Sequence, residues 1–452
     1  MDGLTDMRRL CIALAALFCT ASTAAIAADR PDLPVSPDRL RADVARLVAF
    51  GTRHTLSSQT DRSRGIGAAR TWADAEFRKI SVACGGCLTI TLPERMVSGP
   101  RITTPVRLVD VVAIQQGTER PDEVVIVEGH IDSRVSDVMD AVKDAPGAND
   151  DGSGTALVLE AARVLSKQRF AGTIVYAIVS GEEQGLFGGK LLADTARANG
   201  WRIKAVLNND IVGNTRGSDG LVDDRHVRVF SEGLRADADD KLRAAIRRDG
   251  GENDSPSRNL SRWIAGLVGS DRAGLAVRQV WRADRIGRGG DHLPFEELGY
   301  PAVRFSVAVE NYDHQHQDLR VENGVRYGDT IEHMDFAYLA KVTRLNVRAL
   351  AALARAPMAP TASMQAAVQT FTDVAWSAVP GAVGYKVWRR RTDQTAWDAQ
   401  PLARTSAARA HLPGLRGDDW FLGVSAIAAD GSESPIASAV PGGGFGQASA
   451  KP

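Results

Sequence analysis

Short apolar runs alternate with amphipathic stretches along the first three quarters of the chain. Four of the runs are rich in Val and Ile and are candidates for buried strands: VVIVEGHID (residues 124–132), GTIVYAIVSGEE (172–183), IKAVLNND (203–210) and PAVRFSV (301–307). Residues 155–167 lie between the first two runs and have the period of a helix. This alternation predicts an α/β fold in which helices flank a central mixed, mostly parallel sheet on both faces.

Amphipathic stretches continue on either side of these runs. Residues 40–48 and 67–80 have apolar positions at helical spacing. Residues 215–290 are polar and rich in Arg and Asp, which indicates loops with a helical piece around 236–250. A long amphipathic helix over residues 329–356 is expected to close the domain.

The pattern changes to β-structure after this helix. A Pro-containing linker leads into stretches where apolar and polar residues alternate between turn signals. Trp376, Tyr385 and Trp388 are the expected core of a small all-β sandwich. The patterns WSAVPGAVGYKV and SAIAADGSES resemble a fibronectin type III module, which would cover residues 357–441. The Gly-rich residues 442–452 should form a flexible tail.

Composition and charge narrow the classes of function. The 452 residues are 44% hydrophobic and 24% charged, as in ordinary globular proteins. Lys+Arg and Asp+Glu both total 55, so the formal net charge is zero and nothing indicates nucleic acid as a partner. Residues 1–27 have a basic pair, an apolar run and an A-x-A cleavage pattern at Ala25-Ile26-Ala27, which predicts a signal peptide. We therefore expect one large domain over residues 28–356, in a periplasmic or secreted chain whose mature form has no membrane span.

Export also bears on the cysteines. Cys11 and Cys19 fall within the predicted signal peptide, which leaves Cys84 and Cys87 in VACGGCLTI. In an oxidising compartment this pair predicts a local disulfide. A zinc site would need two further ligands nearby, and a redox-active pair would need a thioredoxin-like context; the sequence offers neither.

Acidic residues and histidines collect at the carboxyl ends of the predicted strands. The set comprises His130 and Asp132, Glu182 and Glu183, Asp210, and His314, His316 and Asp318. Ligand sites in open α/β sheets form outside the carboxyl ends of the strands, so these groups should converge on one crevice. Carboxylates at this density would repel one another unless cations neutralised them. Two histidines with three or four carboxylates suit divalent zinc.

Two adjacent aspartates, Asp150 and Asp151, precede the helix at residues 155–167 in the turn PGANDDGSG. An Asp at this place is commonly a helix N-cap, because its carboxylate accepts from free backbone N–H groups. A carboxylate also has two oxygens, so one aspartate can bridge two metal ions about 3.5–4 Å apart. We expect Asp150 to be such a bridge and Asp151 to cap the helix or hold the turn.

Taken in order, the motifs H-x-D, G-A-N-D-D-G-S-G, G-E-E-x-G, N-N-D and H-x-x-x-D resemble the co-catalytic di-zinc aminopeptidases of the secreted bacterial leucyl type. The resemblance spans residues 40–356 and implies a zinc-exopeptidase fold with two Zn²⁺ per chain. It implies that His130 and Asp210 hold one zinc, that Glu183 and a histidine after the last strand hold the other, and that Asp150 bridges them.

The resemblance also assigns roles beside the ligands. Glu182 would be the general base and Asp132 would orient His130. Asp291 and His292 would be supporting structure. The peptide bond that precedes Asp151 would be cis.

Two histidines compete for the last ligand position. His314 stands four residues before Asp318, which is the spacing of the family pattern, so His314 is the preferred ligand and His316 a hydrogen-bond donor to substrate. Gln315 replaces the Thr of the family pattern, however, and a shift of the alignment by two residues would make His316 the ligand.

The implied chemistry is hydrolysis at the N-terminus of a peptide. Two zinc ions would lower the pKa of a shared water and polarise the scissile carbonyl, while Glu182 would take the proton and deliver it to the leaving amine. The partner would be a peptide substrate whose free α-amino group binds one zinc. A glutaminyl cyclase-like enzyme or a carboxypeptidase on the same fold, and a catalytically inactive binding protein, remain alternatives.

Overall fold

The computed structural model describes residues 34–268 and 274–444, so the predicted signal peptide and the end of the predicted tail lie outside it. Within these ranges the helices are α1 (Pro37–Val48), α2 (Gly65–Ala83), α3 (Gly152–Leu165), α4 (Phe187–Ala198), α5 (Asp240–Asp249), α6 (Pro256–Leu267), α7 (Leu293–Glu297) and α8 (Phe336–Arg355).

The strands of the first three quarters of the chain are β1 (Leu88–Thr91), β2 (Glu94–Gly99), β3 (Ile102–Val109), β4 (Val111–Gln115), β5 (Arg120–His130), β6 (Gly172–Val179), β7 (Arg202–Asn209), β8 (His226–Phe230), β9 (Ala276–Val280), β10 (Ala302–Val307), β11 (Arg320–Glu322) and β12 (Val325–Tyr327). Those of the last quarter are β13 (Ala362–Gln365), β14 (Phe371–Trp376), β15 (Gly384–Arg391), β16 (Ala403–Thr405), β17 (Arg409–Pro413), β18 (Trp420–Ile427) and β19 (Ala437–Ser438).

Eight strands form the central sheet, in the order β1-β4-β6-β5-β7-β10-β8-β9. The four runs predicted as buried strands are its middle members β6, β5, β7 and β10, and neighbours within this set are parallel. β4 and β8 join the set antiparallel, so the sheet is mixed. The predicted α/β class is confirmed.

Helices cover both faces of the sheet. On one face α3 packs against α1 and α8. On the other, Leu192 of α4 and Phe295 of α7 share a buried apolar cluster with Val124, Ile126 and Val175 of the sheet. Both faces of the middle strands are therefore buried, which explains why these strands are apolar along their whole length.

The sequence pattern did not predict the four outer strands of the central sheet. β1, β4, β8 and β9 have only four or five residues each, and β9 at the edge alternates exposed and partly buried positions. β1 and β9 lie at the edges of the sheet, where a strand has neighbours on one side only and can carry polar residues. β4 and β8 lie inside the sheet, and their shortness is what made them hard to predict.

The last long helix is shorter than predicted. α8 begins at Phe336, and Asp335 caps it by accepting from the backbone N–H of Tyr338. Before it lies a 3-10 turn at Ile331–His333, and Asp329 accepts hydrogen bonds from the backbone N–H groups of Asn149 and Asp150. This stretch, which was predicted to be helical, instead holds the turn that carries the two adjacent aspartates.

The last quarter of the chain forms two antiparallel sheets, β13-β14-β17 and β16-β15-β18-β19. They share one apolar cluster that includes Trp376 and Tyr385, so they form the predicted small sandwich. Trp388 is not part of this core. It lies on the outer face of β15, one position beyond the buried Val387, and its Nε1–H donates to Ser425.

The sandwich is joined to the α/β part by buried polar contacts. Asp254, which precedes α6, pairs with Arg390 of β15 and accepts from the hydroxyl of Ser438 in β19. The described residues from Val35 onward form one compact unit. Residues at the start of the predicted tail also take part, since Arg235 donates to the carbonyl of Gly444.

Two smaller predictions concern the disulfide and the membrane. A disulfide joins Cys84 to Cys87 just after α2, as predicted. Among the helices in the described ranges, none has the length and apolar character needed to cross a membrane.

Candidate metal centre

The carboxyl ends of the middle strands bring the predicted residues together. His130 is the last residue of β5, and Asp210 directly follows β7. Glu182 and Glu183 occupy the turn between β6 and α4, and His316 lies in the turn after β10. The strands are adjacent and parallel, so their ends meet at one edge of the sheet.

The deeper group consists of His130, Glu182 and Asp210, each of which offers a ligand atom within 4.8 Å of the others. His130 is fully buried, and its Nε2 lies 3.9 Å from Oδ1 of Asp210. Glu182 is partly exposed. Burial raises the pKa of Glu182 well above its ordinary value, and the charges of Asp210 and Glu183 add to the rise.

The second group consists of Asp150, Glu183 and His316, also within 4.8 Å of one another. Nε2 of His316 lies 2.9 Å from Oδ2 of Asp150 and 3.0 Å from Oε1 of Glu183. Burial alone would lower the pKa of His316, but the charges of Glu183 and Asp150 raise it to about 10. The two carboxylates thus stabilise positive charge at this ring.

Asp150 connects the two groups. Its Oδ1 lies 3.2 Å from Nε2 of His130, while its Oδ2 faces His316. Burial would raise the pKa of Asp150, but His316 and His130 hold it well below its ordinary value. One carboxylate therefore presents one oxygen to each group, which is the arrangement that a bridging ligand requires.

The donor set suits zinc. Imidazole nitrogen and carboxylate oxygen are both ordinary zinc ligands. Nε2 of His130 and Oε1 of Glu183 are buried without a hydrogen-bond partner among the described residues, and both face the cluster. Buried polar atoms are normally satisfied, so orphaned atoms that converge fit a bound cation.

Asp132 and Asp151 support the cluster from behind. The carboxylate of Asp132 accepts from the backbone N–H groups of Gly181, Glu182 and Glu183, and so fixes the turn that carries both glutamates. It lies 3.6 Å from Nδ1 of His130, whereas the backbone carbonyl of Asp132 lies at 3.0 Å. The predicted orienting role thus falls mainly on the backbone of Asp132.

The two adjacent aspartates have different roles in the turn. Asp151 caps α3 through the backbone N–H of Gly154 and also accepts from the backbone N–H of His130. The Asp150–Asp151 peptide bond is cis, as the family resemblance implies. A Cβ on Gly154 would lie 2.0 Å from the carbonyl oxygen of Asn209, so only glycine fits against β7 here.

His316, and not the preferred His314, lies in the cluster. His314 instead stacks on His333, with ring centroids 3.6 Å apart. The spacing argument fails because the chain turns at this point: His316 has a φ of 58°, and Asp318 faces the surface, where it accepts from Ser136. We therefore replace His314 with His316 in the ligand set that we propose.

Asp291 and His292 lie outside both groups. Asp291 accepts from the backbone N–H of Gly189, and Nε2 of the fully buried His292 lies 2.8 Å from the carbonyl oxygen of Ala283. These contacts agree with the supporting role that the resemblance implies.

Three side chains around the cluster were missed from sequence. Gln315 donates to Oδ2 of Asp150 at 2.9 Å. Arg304 and Arg134 pair with Asp210 and Glu183. Of these three residues, only Arg304 could have been noticed in the sequence, because it is the single charged residue in the apolar run PAVRFSV.

Comparison with known proteins identifies the family. Residues 110–334 match the model for peptidase family M28. A probable zinc metalloprotease from Pyricularia oryzae is 42% identical over 419 residues, which cover 90% of this chain and 83% of that relative. The chain belongs to peptidase family M28. As a member of this family it is a zinc metallopeptidase, a hydrolase that acts on peptide substrates.

Solved structures share the fold of this M28 peptidase. LapA aminopeptidase from Legionella pneumophila superposes with a TM-score of 0.51 at 18% identity, over 71% of this chain and 72% of that one. Glutaminyl cyclase from Fimbriiglobus ruber gives a TM-score of 0.50 at 20% identity, over 71% and 97%. The fold therefore occurs with both activities and does not by itself choose between them.

Proposed function

We propose that this M28 peptidase is an exported aminopeptidase that removes N-terminal residues with the help of two zinc ions. The observation that carries the proposal is the pair of three-residue groups joined by Asp150, which offers one oxygen to each. His130 and Asp210 would hold one zinc, Glu183 and His316 the other. Bound zinc would supply a water of lowered pKa and a polarised scissile carbonyl.

Glu182 is the proposed general base. It lies with the deeper group but is partly exposed, so it can reach a substrate in the cleft. Burial raises the pKa of Glu182 above its ordinary value, and a carboxyl group raised in this way holds a proton more tightly, as a general base that takes a proton from water and returns it to the leaving amine must. If Glu182 were a ligand instead, removing its charge would release metal, and this distinguishes the two roles.

The free N-terminus of the substrate is the feature that separates the candidate activities. An aminopeptidase needs an unblocked α-amino group, a carboxypeptidase needs a free C-terminal carboxylate, and a glutaminyl cyclase needs an N-terminal glutamine. We favour hydrolysis over cyclisation because two metal positions joined by Asp150 can activate a shared water, and blocked peptides distinguish the two ends of the substrate.

The test combines metal analysis with a panel of peptides. We expect about two zinc ions per chain, cleavage of peptides with free N-termini, and none after N-acetylation. C-terminal amidation should have no effect, and a glutamine-initiated peptide should lose glutamine without forming pyroglutamate. Equal cleavage of acetylated and free peptides would refute the aminopeptidase proposal, whereas cyclisation without hydrolysis would establish the cyclase.

Export is the remaining part of the proposal. Residues 1–27 have the features of a signal peptide, and a disulfide between Cys84 and Cys87 suits an oxidising compartment. The exported chain should begin at Ala28. N-terminal sequencing of periplasmic and medium fractions checks this, and a full-length chain confined to the cytoplasm would contradict it.

A further inference from the structure

Two arginines contact the outer sides of two proposed zinc ligands. Oδ2 of Asp210 lies 2.8 Å from Nη2 of Arg304, while its Oδ1 faces His130. Oε2 of Glu183 accepts from Nε of Arg134 at 2.8 Å, while its Oε1 faces His316. Each carboxylate thus has one oxygen toward the cluster and one held by a guanidinium.

The arginine behind Asp210 is held through both of its terminal nitrogens. The Arg304 side chain is fully buried, and Asp284 and the carbonyl oxygen of Gly289 hold its Nη1 at 2.9 and 2.8 Å. Its Nη2 also donates to the carbonyl of Asp210 itself. A guanidinium with so many partners keeps its place, so the outer oxygen of Asp210 cannot turn inward without breaking a buried ion pair.

The arginine behind Glu183 lies at the mouth of the cluster. The Arg134 side chain is 17% exposed, and its Nη2 lies 2.6 Å from Nδ1 of His316. It therefore contacts two of the three proposed ligands of the second group, Glu183 and His316.

Asp150 provides the contrast. Both of its oxygens face the cluster, and in the described part of the chain its ion pairs are with His130 and His316 and not with an arginine. The carboxylate that must serve two metal positions is free of guanidinium contacts, whereas the two that serve one position each are restrained.

We propose that Arg304 and Arg134 are positioning residues that limit Asp210 and Glu183 to one metal-facing oxygen each. The inference rests on the proposed two-zinc function. A catalytic zinc needs a coordination position that the protein does not fill. A carboxylate released by its arginine could bind through both oxygens and occupy the position that water and substrate require.

The experiment uses the full chain with Co²⁺ in place of zinc. Variants Arg304→Met and Arg134→Met are compared with the wild type for metal content, visible absorption of the bound Co²⁺ and turnover. A second carboxylate oxygen on the metal raises its coordination number, which weakens the visible bands. We expect two metal ions per chain, weaker bands, and kcat lowered by about 10- to 100-fold.

Matched controls separate this effect from the loss of any arginine ion pair. Arg163 is also 17% exposed and pairs with Asp43 on the α1 side of the molecule, so Arg163→Met controls for Arg134→Met. Arg390 is buried against Asp254 in the sandwich junction and controls for Arg304. Both control variants should keep the spectrum and kcat of the wild type.

Three outcomes overturn the proposal. Unchanged bands and kcat in both test variants would show that the arginines do not restrain the ligands. Loss of a metal ion from either variant would show that the arginine is needed for metal binding itself, and not for limiting the carboxylate to one metal-facing oxygen. Equal spectral change in the control variants would show that losing any arginine ion pair has this effect.

If Arg304→Met does not fold, the result for Arg134→Met decides alone. Fewer than two bound metal ions in the wild type would refute the proposed two-zinc function itself.

Discussion

The metal cluster and the sandwich junction both bury charged side chains, but they balance the charges differently. At the junction Asp254 is 1% exposed and is matched by Arg390, by the hydroxyl of Ser438 and, at 3.5 Å, by Arg262. Nε of Arg390 lacks a hydrogen-bond partner among the described residues, but both oxygens of Asp254 are matched. In the cluster, Nε2 of His130 and Oε1 of Glu183 have no hydrogen-bond partner in the described ranges, and both face the same space.

The difference shows what each region is built for. Buried groups of opposite charge that pair with one another hold two surfaces together, and few of their donors and acceptors remain free to bind a ligand. Converging groups that stay unsatisfied are costly to bury, so their presence indicates a bound ion. Substitutions at the junction should therefore change stability, and substitutions in the cluster should change metal content or turnover.

The largest expected effect is on turnover, at Glu182. Glu182→Gln keeps the shape of the side chain but removes the proposed general base, which is worth about 10²- to 10⁴-fold in rate. We expect kcat to fall by this amount while two zinc ions remain bound, as measured by steady-state kinetics and metal analysis. Glu232→Gln, at a buried glutamate outside the cluster, is the control. Near-normal turnover of the Glu182 variant would remove Glu182 from the mechanism.

Metal content distinguishes the two histidines after β10. His316 faces Asp150 and Glu183, so His316→Ala should leave about one zinc per chain and lower both activity and thermal stability, since bound metal stabilises the folded state. His314→Ala is the matched control, because His314 stacks on His333 outside the cluster. It should retain two zinc ions. If His314→Ala lost a zinc ion and His316→Ala kept two, His314 would be the ligand, as the spacing of the motif predicts.

The same two histidines show where inference from sequence ends. His130 and Asp210 could be brought together from sequence because regular strands bring their carboxyl ends to one edge of the sheet, whereas Asp150 was named from the turn that precedes α3. His316 could not be placed from sequence, because a turn with a left-handed residue has no period from which side-chain direction follows. Motif spacing assumed a local geometry that this turn does not have.

The arginines were unpredictable for a different reason. Arg304 pairs with Asp210, which lies 94 residues earlier in the chain, and Arg134 reaches His316 across 182 residues. Partners at such separations are brought together only by the register of β7 and β10 and by the loop after β5. The charge of an isolated arginine in a sequence does not reveal which acid it faces.

A moderate effect, on stability alone, is expected at the junction. Asp254→Asn removes the charge that Arg390 and Arg262 share, and breaking a buried pair costs about 3–5 kcal/mol of unfolding free energy. Denaturant unfolding measures this loss. The double variant Asp254→Leu, Arg390→Met should regain most of it, because apolar side chains leave no unpaired charge. Zinc content and kcat should equal those of the wild type; a lower kcat would show that the sandwich contributes to the site.

The smallest effect is expected at Asp318, which lies beyond His316 but faces solvent. Hydrogen bonds from Ser136 and Lys143 lower the pKa of Asp318 to about 2, and its side chain is 28% exposed. An acid with a lowered pKa stabilises the folded state above its unfolded pKa of about 3.9, and this stabilisation is lost as the pH falls through 2. Asp318→Asn should therefore cost less than about 1 kcal/mol above pH 5, as for other exposed pairs. Because zinc also dissociates in acid, thermal unfolding of the two metal-free proteins is compared between pH 7 and 3, where the difference should shrink below pH 4. Loss of a zinc ion from the variant at pH 7 would instead show that Asp318 contributes to the metal site, which the surface position of its carboxylate opposes.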